Sequence, residues 1–307
     1  MKSAATLRLA MTTGMMMNDS HSASRATTHS SALVTLHLAV ILFGFAGLFG
    51  KWVALAPATI VFGRSFVATM ALAALLRLLH EPRGRFQWRL MANGAILALH
   101  WLAFFQAIQL SSVAIGLLGY ASFPLFVLAL ETALLRRPLH AGEWATAALV
   151  TIGLLLIVPE LKLENKIVQG LLWALLSGFT FALLAVGNRA LVAQHSAGEI
   201  ALWQNGCAAL CLLPIVVFER SVPAARDVGL LVLLGVVCTA LAHTLFIRSM
   251  RALSAHGASV VAALEPVYGI ALAFLLLHEA PEPRTLAGAV LIVAAAILAS
   301  RRPNVRA

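Results

Sequence analysis

Apolar runs of membrane-spanning length recur along this chain, and they constrain its fold more than any single motif. Cutting at charges and turn residues leaves ten candidates, at roughly 32–51, 58–79, 89–109, 113–135, 144–158, 167–188, 199–218, 228–248, 257–277 and 285–300. A bilayer span takes about 20 mostly apolar residues, so the fifth and tenth are short. Strand-type alternation is missing from these runs. They read as helices, because lipid admits only helices and closed barrels. Of the 307 residues only 11% are charged, whereas a soluble domain carries about a quarter. The expected fold is an all-α integral membrane protein of ten transmembrane helices, with no room for a soluble domain.

A net charge of +10 would suggest nucleic acid as the partner of a soluble protein. Here the basic residues sit at span ends instead. With the N-terminus inside, fifteen Lys and Arg fall on the cytoplasmic side and six on the other, while Arg64 lies within a span. That asymmetry obeys the positive-inside rule and predicts an inner (plasma) membrane protein with both termini cytoplasmic. Nucleic acid is not an expected partner. Cys207, Cys211 and Cys238 all fall in spans and read as small packing residues. Residues 1–31 are rich in Ser, Thr and Met and lack the apolar core of a signal peptide. They read as a disordered cytoplasmic tail, and residues 301–307 as a short basic one.

Two spans carry a proline in comparable surroundings. "YASFPLFVLALETALL" holds Pro124 and "AALEPVYGIALAFLLL" holds Pro266, 142 residues later. Around them "LSSVAIG" approximately overlies "LSAHGAS", and Leu134-Leu135 overlies Leu276-Leu277. The first span of each half ends in a basic residue, Lys51 or Arg189. Residues 32–160 and 165–300 then form two five-span copies. Because five is odd, the second copy enters the membrane inverted, an arrangement that marks secondary transporters.

These features resemble the EamA type of the drug/metabolite transporter superfamily. The resemblance rests on "FGFAGLFGK", on Arg64, on the "YASFPLF" and "LEPVYG" prolines, and on the glycine-bearing last run "LAGAVLIVAAAIL". It covers nearly everything after about residue 32. The first span has Phe43-Gly44 where the family often has Trp-Gly, and the first copy has Phe-Pro where the second has Glu-Pro. The resemblance implies a carrier of a small solute and leaves the solute open.

Pro266 removes the helical partner of the Ala262 carbonyl and Pro124 that of Tyr120. In lipid a bare carbonyl costs several kcal/mol, so each must face protein, water or solute. The prolines therefore shape either packing or a pocket wall. Glu265 adds a charge whose exposure to lipid costs ~2.5–3.5 kcal/mol. It must face the interior, take a proton or find a cation. A structural pair with Arg251 is the bland alternative.

Other polar residues repeat at helical spacing: His37, Gly44 and Lys51; Asn93 and His100; Tyr120, Pro124, Val127 and Glu131; Trp173, Ser177, Thr180, Leu184 and Asn188; Thr239 and His243; Glu265, Tyr268 and Gly269. Six such stripes with aromatics, Trp101 among them, predict a central polar cavity, although single stripes also serve as interhelical glue. Arg64 either snorkels to the outer surface or meets a carboxylate inside, and its second-copy counterpart is Gln204. His100 is a proton relay or a hydrogen-bonded core histidine. Lys51 is an interfacial anchor first and a solute contact second.

The expected function is secondary transport of a small polar or amphipathic metabolite, an amino acid or related compound, by alternating access and in the export direction. Protons are the candidate coupling ion. A channel or scaffold is the alternative. An intramembrane enzyme lacks support, since there is no H-E-x-x-H, Asp19 and Asp227 lie outside the spans, and no Ser/His pair stands out. No metal or organic cofactor is implied.

Overall fold

The computed structural model describes residues 30–80, 87–135, 141–157, 162 and 164–300. Both expected tails lie outside these residues, except that Ser30 and Ser31 belong to the first helix. The described chain is helical: α1 (Ser30–Trp52), α2 (Pro57–Leu78), α3 (Trp88–Leu110), α4 (Val113–Tyr120), α5 (Phe123–Leu135), α6 (Ala141–Ile157), α7 (Lys166–Leu191), α8 (Ala197–Glu219), α9 (Ala225–Gly235), α10 (Ala242–Ser249), α11 (Ala255–Ala262), α12 (Glu265–Leu277) and α13 (Pro283–Ser300). A π-helical segment, Val236–Leu241, joins α9 to α10.

Among the described residues seven helical segments are long and apolar enough to cross a bilayer. Three shorter apolar helices, Trp144–Ile157, Glu265–Leu277 and Pro283–Ala295, cover the fifth, ninth and tenth runs. The chain is thus a multi-pass membrane protein. Polar residues punctuate it at helix starts. Ser112, Asn165, Ser196 and Ser254 each accept a first-turn amide through the side chain, from Ile115, Ile167, Glu199 and Gly257. Such caps satisfy donors that a helix N-terminus leaves orphaned.

The fourth and ninth runs are not the continuous helical spans that the sequence suggests. Each is broken outright, at Ala121-Ser122 and at Ala263-Leu264. Pro124 and Pro266 become the second residues of α5 and α12, where a missing amide hydrogen removes no helical bond. The two breaks match bond for bond. Ala121, Ser122 and Leu125 donate to the carbonyls of Leu117, Gly119 and Ser122; Ala263, Leu264 and Val267 donate to those of Ser259, Val261 and Leu264. Every atom pair in the second set is displaced by the spacing that separates the prolines.

Each break lies against a glycine of another helix. A Cβ at Gly44 of α1 would sit 2.9 Å from the Gly269 nitrogen and 3.1 Å from the Glu265 carbonyl oxygen. A Cβ at Gly178 of α7 would sit 3.0 Å from the Tyr120 carbonyl oxygen, at the end of α4. Only glycine lets these backbones approach so closely. Helices α6 and α13 also meet through glycines, and the contact is reciprocal: the Gly288 carbonyl faces the Cβ position of Gly153, and the Gly153 carbonyl that of Gly288.

The main core gathers side chains from α1 to α5 and from α7 to α12. A smaller cluster, around Ile115, Leu118, Ile157, Leu171 and Ile292, lies between α4, α6, α7 and α13.

Candidate functional site

Seven helices converge on a small cavity within the main core. Six of the residues singled out from sequence line it: Arg64, His100, Trp101, Tyr120, His243 and Glu265. Phe43, Ala46, Phe104 and Phe181 complete the wall. Its free space is about 20 Å³, room for about one water molecule.

Arg64 does not reach the surface; it is 2% exposed. Its Nε donates to Thr239 Oγ1 at 2.9 Å and its Nη2 to the Cys238 carbonyl at 3.3 Å. Both acceptors belong to the π-helical segment. Thr239 in turn donates to the Leu234 carbonyl at 2.7 Å. The wider π turn therefore turns a backbone carbonyl and a hydroxyl toward the guanidinium, as such bulges often do at functional sites. The guanidinium carbon also lies 4.0 Å from the centre of the Trp101 ring, a cation–π contact worth about 0.5–2 kcal/mol.

Glu265 starts α12 and is 3% exposed. Its carboxyl group hydrogen-bonds the Tyr120 hydroxyl and feels the charge of Arg64. Oε2 has no hydrogen-bond partner among the described residues. The exposed Arg251 is not its counterpart. Tyr120 and Glu265 stand on the two broken runs, so the breaks bring a donor and an acid from the two copies into one site.

Hydrogen-bond partners assign the histidine tautomers. His100 Nδ1 lies 3.0 Å from the Ser177 carbonyl oxygen, which can only accept, so Nδ1 carries hydrogen. Ser177 Oγ stands 2.9 Å from the same nitrogen. On the other wall a polar chain runs away from the cavity. Asn93 Nδ2 and Gln204 Nε2 both donate to Asn188 Oδ1, at 3.2 and 2.6 Å. Gln204 Oε1 is then the acceptor for His243 Nε2 at 3.1 Å. A neutral His100 thus keeps its Nε2 lone pair and a neutral His243 its Nδ1 lone pair. His100 also packs on Phe181, ring centres 4.9 Å apart, and His243 on Trp101 at 5.7 Å.

The remaining sequence candidates lie outside the cavity wall. Ser177, Asn93 and Asn188 hold its histidines from behind. Pro124 and Pro266 are buried at the breaks. Tyr268 packs on the core with its Cβ near Gly44. Trp173 is half-buried one turn before Ser177. Lys51 is exposed and donates to the Ser111 carbonyl at 2.9 Å, tying the end of α1 to the α3–α4 connection. The His37–Gly44–Lys51 stripe is not the cavity face of α1, which Phe43 and Ala46 supply instead. A seven-residue repeat drifts about 20° per heptad on a straight helix, which carries its ends off any one face. Phe104 and Phe181 each lie one turn beyond a chosen residue, His100 or Ser177, and that spacing is the signal that would have found them. Among the described residues no group of three or more His, Cys, Asp or Glu is placed to hold a metal.

A multi-pass bundle of apolar helices around a buried cavity, with an acid, an arginine and aromatic rings on its wall, is built as a solute transporter. Comparison with known proteins agrees. The EamA-like transporter family matches residues 30–158 and again 168–301. The pseudopaline exporter CntI of Pseudomonas aeruginosa (strain UCBPP-PA14) is 31% identical over 253 residues, 80% of this chain and 87% of that protein. The uncharacterized transporter YxxF of Bacillus subtilis (strain 168) is 23% identical over 275 residues, 86% of this chain and 88% of that one. An S-adenosylmethionine uptake transporter of Rickettsia prowazekii (strain Madrid E) is 24% identical over 57% of this chain and 59% of its own length. One solved crystal structure, 21% identical, superposes with a TM-score of 0.69 over 88% of this chain and 98% of its own, which shows a shared fold. The chain belongs to the EamA-like transporter family, within the drug/metabolite transporter superfamily. It is a membrane transporter and not an enzyme.

Proposed function

We propose that this protein is a secondary transporter of the inner membrane that exports a small polar or amphipathic metabolite, an amino acid or related compound, by alternating access. One observation carries the reading. A buried acid with an unpartnered oxygen, Glu265, and a buried arginine share one aromatic-walled cavity. A zwitterion presents an ammonium to the first and a carboxylate to the second, with its side chain among the rings. Protons are the candidate coupling ion, because Glu265 can hold either a proton or an ammonium. Relatives named for pseudopaline export and for S-adenosylmethionine uptake support an organic cargo, and their opposite directions leave export resting on the sequence reading.

Ten spans in two inverted copies supply the moving parts. The matched breaks support a repeated build of the two copies. A cavity with room for about one water is too small for such a solute. The walls must therefore part during the cycle, and rocking of one copy against the other does so.

The test is counterflow in proteoliposomes loaded with single amino acids. Accelerated uptake of labelled solute with at least one of them is the expected result; no exchange with any amino acid or related amine defeats the proposed cargo class. Topology has its own test. His80 and Val222, which is 90% exposed, follow the second span of the first and second copy. In a variant lacking the native cysteines, an impermeant maleimide added outside intact cells is expected to label Val222→Cys and spare His80→Cys. Labelling of both from one side contradicts inversion.

A further inference from the structure

A second cavity lies at the end of the bundle that carries the α3–α4, α6–α7 and α12–α13 connections. Its volume is about 350 Å³, within the range of about 300–1,000 Å³ in which small-molecule sites fall. It shares no lining residue with the central cavity. The same broken runs serve both: Ala114 and Ile115 lie before Tyr120, and Ile270 and Ala273 after Glu265.

The second cavity has an apolar floor and a charged rim of both signs. Ile115, Ile157 and Ile270 form part of the floor, and Lys166, Glu279 and Glu282 stand at the rim. Arg284 compensates Glu282, with Nη2 and Oε2 2.6 Å apart. Glu279 is held differently. Its Oε2 accepts the Val113 amide at 3.0 Å, which fixes the carboxylate at the start of α4 by a neutral donor. Lys166 is the first residue of α7 after its cap Asn165. A cation there stands at the positive end of the helix dipole, an unfavourable place that an anion relieves.

We propose that this cavity is a binding site for a molecule bearing an ammonium and an anionic group on an apolar stem. The ammonium meets Glu279, the anion meets Lys166 and the α7 amino-terminal end, and the stem lies on the isoleucine floor. A free amphipathic amino acid has this chemistry, and so does a phosphatidylethanolamine headgroup. The site does not depend on the transport reading, since it needs neither Glu265 nor a conformational cycle.

The experiment uses the full chain in phosphatidylcholine nanodiscs, with Glu265→Gln to disable the central cavity. Equilibrium dialysis with labelled L-leucine is one arm. Native mass spectrometry after incorporation of phosphatidylethanolamine is the other. Binding of about one leucine per chain in Glu265→Gln, weakened at least tenfold by Lys166→Ala with Glu279→Gln, assigns the site to free solute. Retention of one phosphatidylethanolamine, lost with the same two substitutions, assigns it to lipid. Ile270→Trp, which fills the floor and leaves both charges, must abolish whichever ligand binds and guards against misfolding of the charge variants. Neither ligand held by Glu265→Gln, or either one held unchanged after the rim substitutions, overturns the proposal. Leucine binding in a protein that fails every counterflow assay leaves this site standing while the transport reading falls.

Discussion

Replacing Glu265 by glutamine is expected to reduce transport roughly a hundredfold, since a solute ammonium that loses its buried counter-charge forfeits about 2–5 kcal/mol. Glutamine keeps the size of the side chain and a hydrogen bond to Tyr120. It cannot be negative, so it can neither hold an ammonium nor exchange a proton. Folding should survive. The carboxyl group lies in a 3%-exposed position with one oxygen unpartnered, and a neutral isostere removes a desolvation penalty rather than a structural support. The measurement is initial-rate counterflow beside thermal unfolding of the purified protein. Unchanged transport removes Glu265 from the mechanism; lost transport with a collapsed unfolding temperature makes it a structural residue instead.

The second large effect is steric. Gly44→Ala should destabilise by about 1–3 kcal/mol, the usual cost of overpacking. Gly44→Leu should prevent α1 from closing on α12 and stop transport. The contacted atoms at Gly44 include backbone, the Gly269 nitrogen at 2.9 Å and the Glu265 carbonyl oxygen at 3.1 Å from the Cβ position. Backbone cannot rotate aside as a side-chain tip does. Gly178→Ala repeats the test on α7, where the contacts are the Tyr120 carbonyl at 3.0 Å and Ser122 Oγ at 3.1 Å, and a smaller loss is expected. Gly229 is the control, because a Cβ there meets nothing within 4 Å. Gly229→Ala should be neutral or stabilising by up to about 1 kcal/mol, since alanine is the better helix former. Equal effects at Gly44 and Gly229 contradict the close approach of α1 to the second break.

Much of this architecture was legible in the residues. The apolar runs locate the helices because lipid leaves the backbone few choices. Pro124 and Pro266 locate the two irregular places. That these are breaks and not kinks was not legible. Neither Ala121-Ser122 nor Ala263-Leu264 carries Gly, Asn or Asp, and glycine-bearing helices pack close to both places. The π-helical segment in "VVCTAL" is likewise silent in sequence, and its partner, Arg64, comes from another helix. For the cavity, isolated charges and histidines in oil were readable signals because each needs a protein environment. On α1, His37 and Lys51 share a spacing with Gly44 but not its burial, so spacing alone does not locate the cavity face. The phenylalanines of the wall look like any lipid-facing residue until a neighbouring helix is placed.

The central claim is that the cavity beside Glu265 opens to each face of the membrane in turn. Ala46 lines it and is buried, so Ala46→Cys in a variant without Cys207, Cys211 and Cys238 reports its access. An impermeant thiol reagent should modify this cysteine in right-side-out and in inside-out vesicles, more slowly in each when solute is bound. Modification from one face alone, or from neither, contradicts the account.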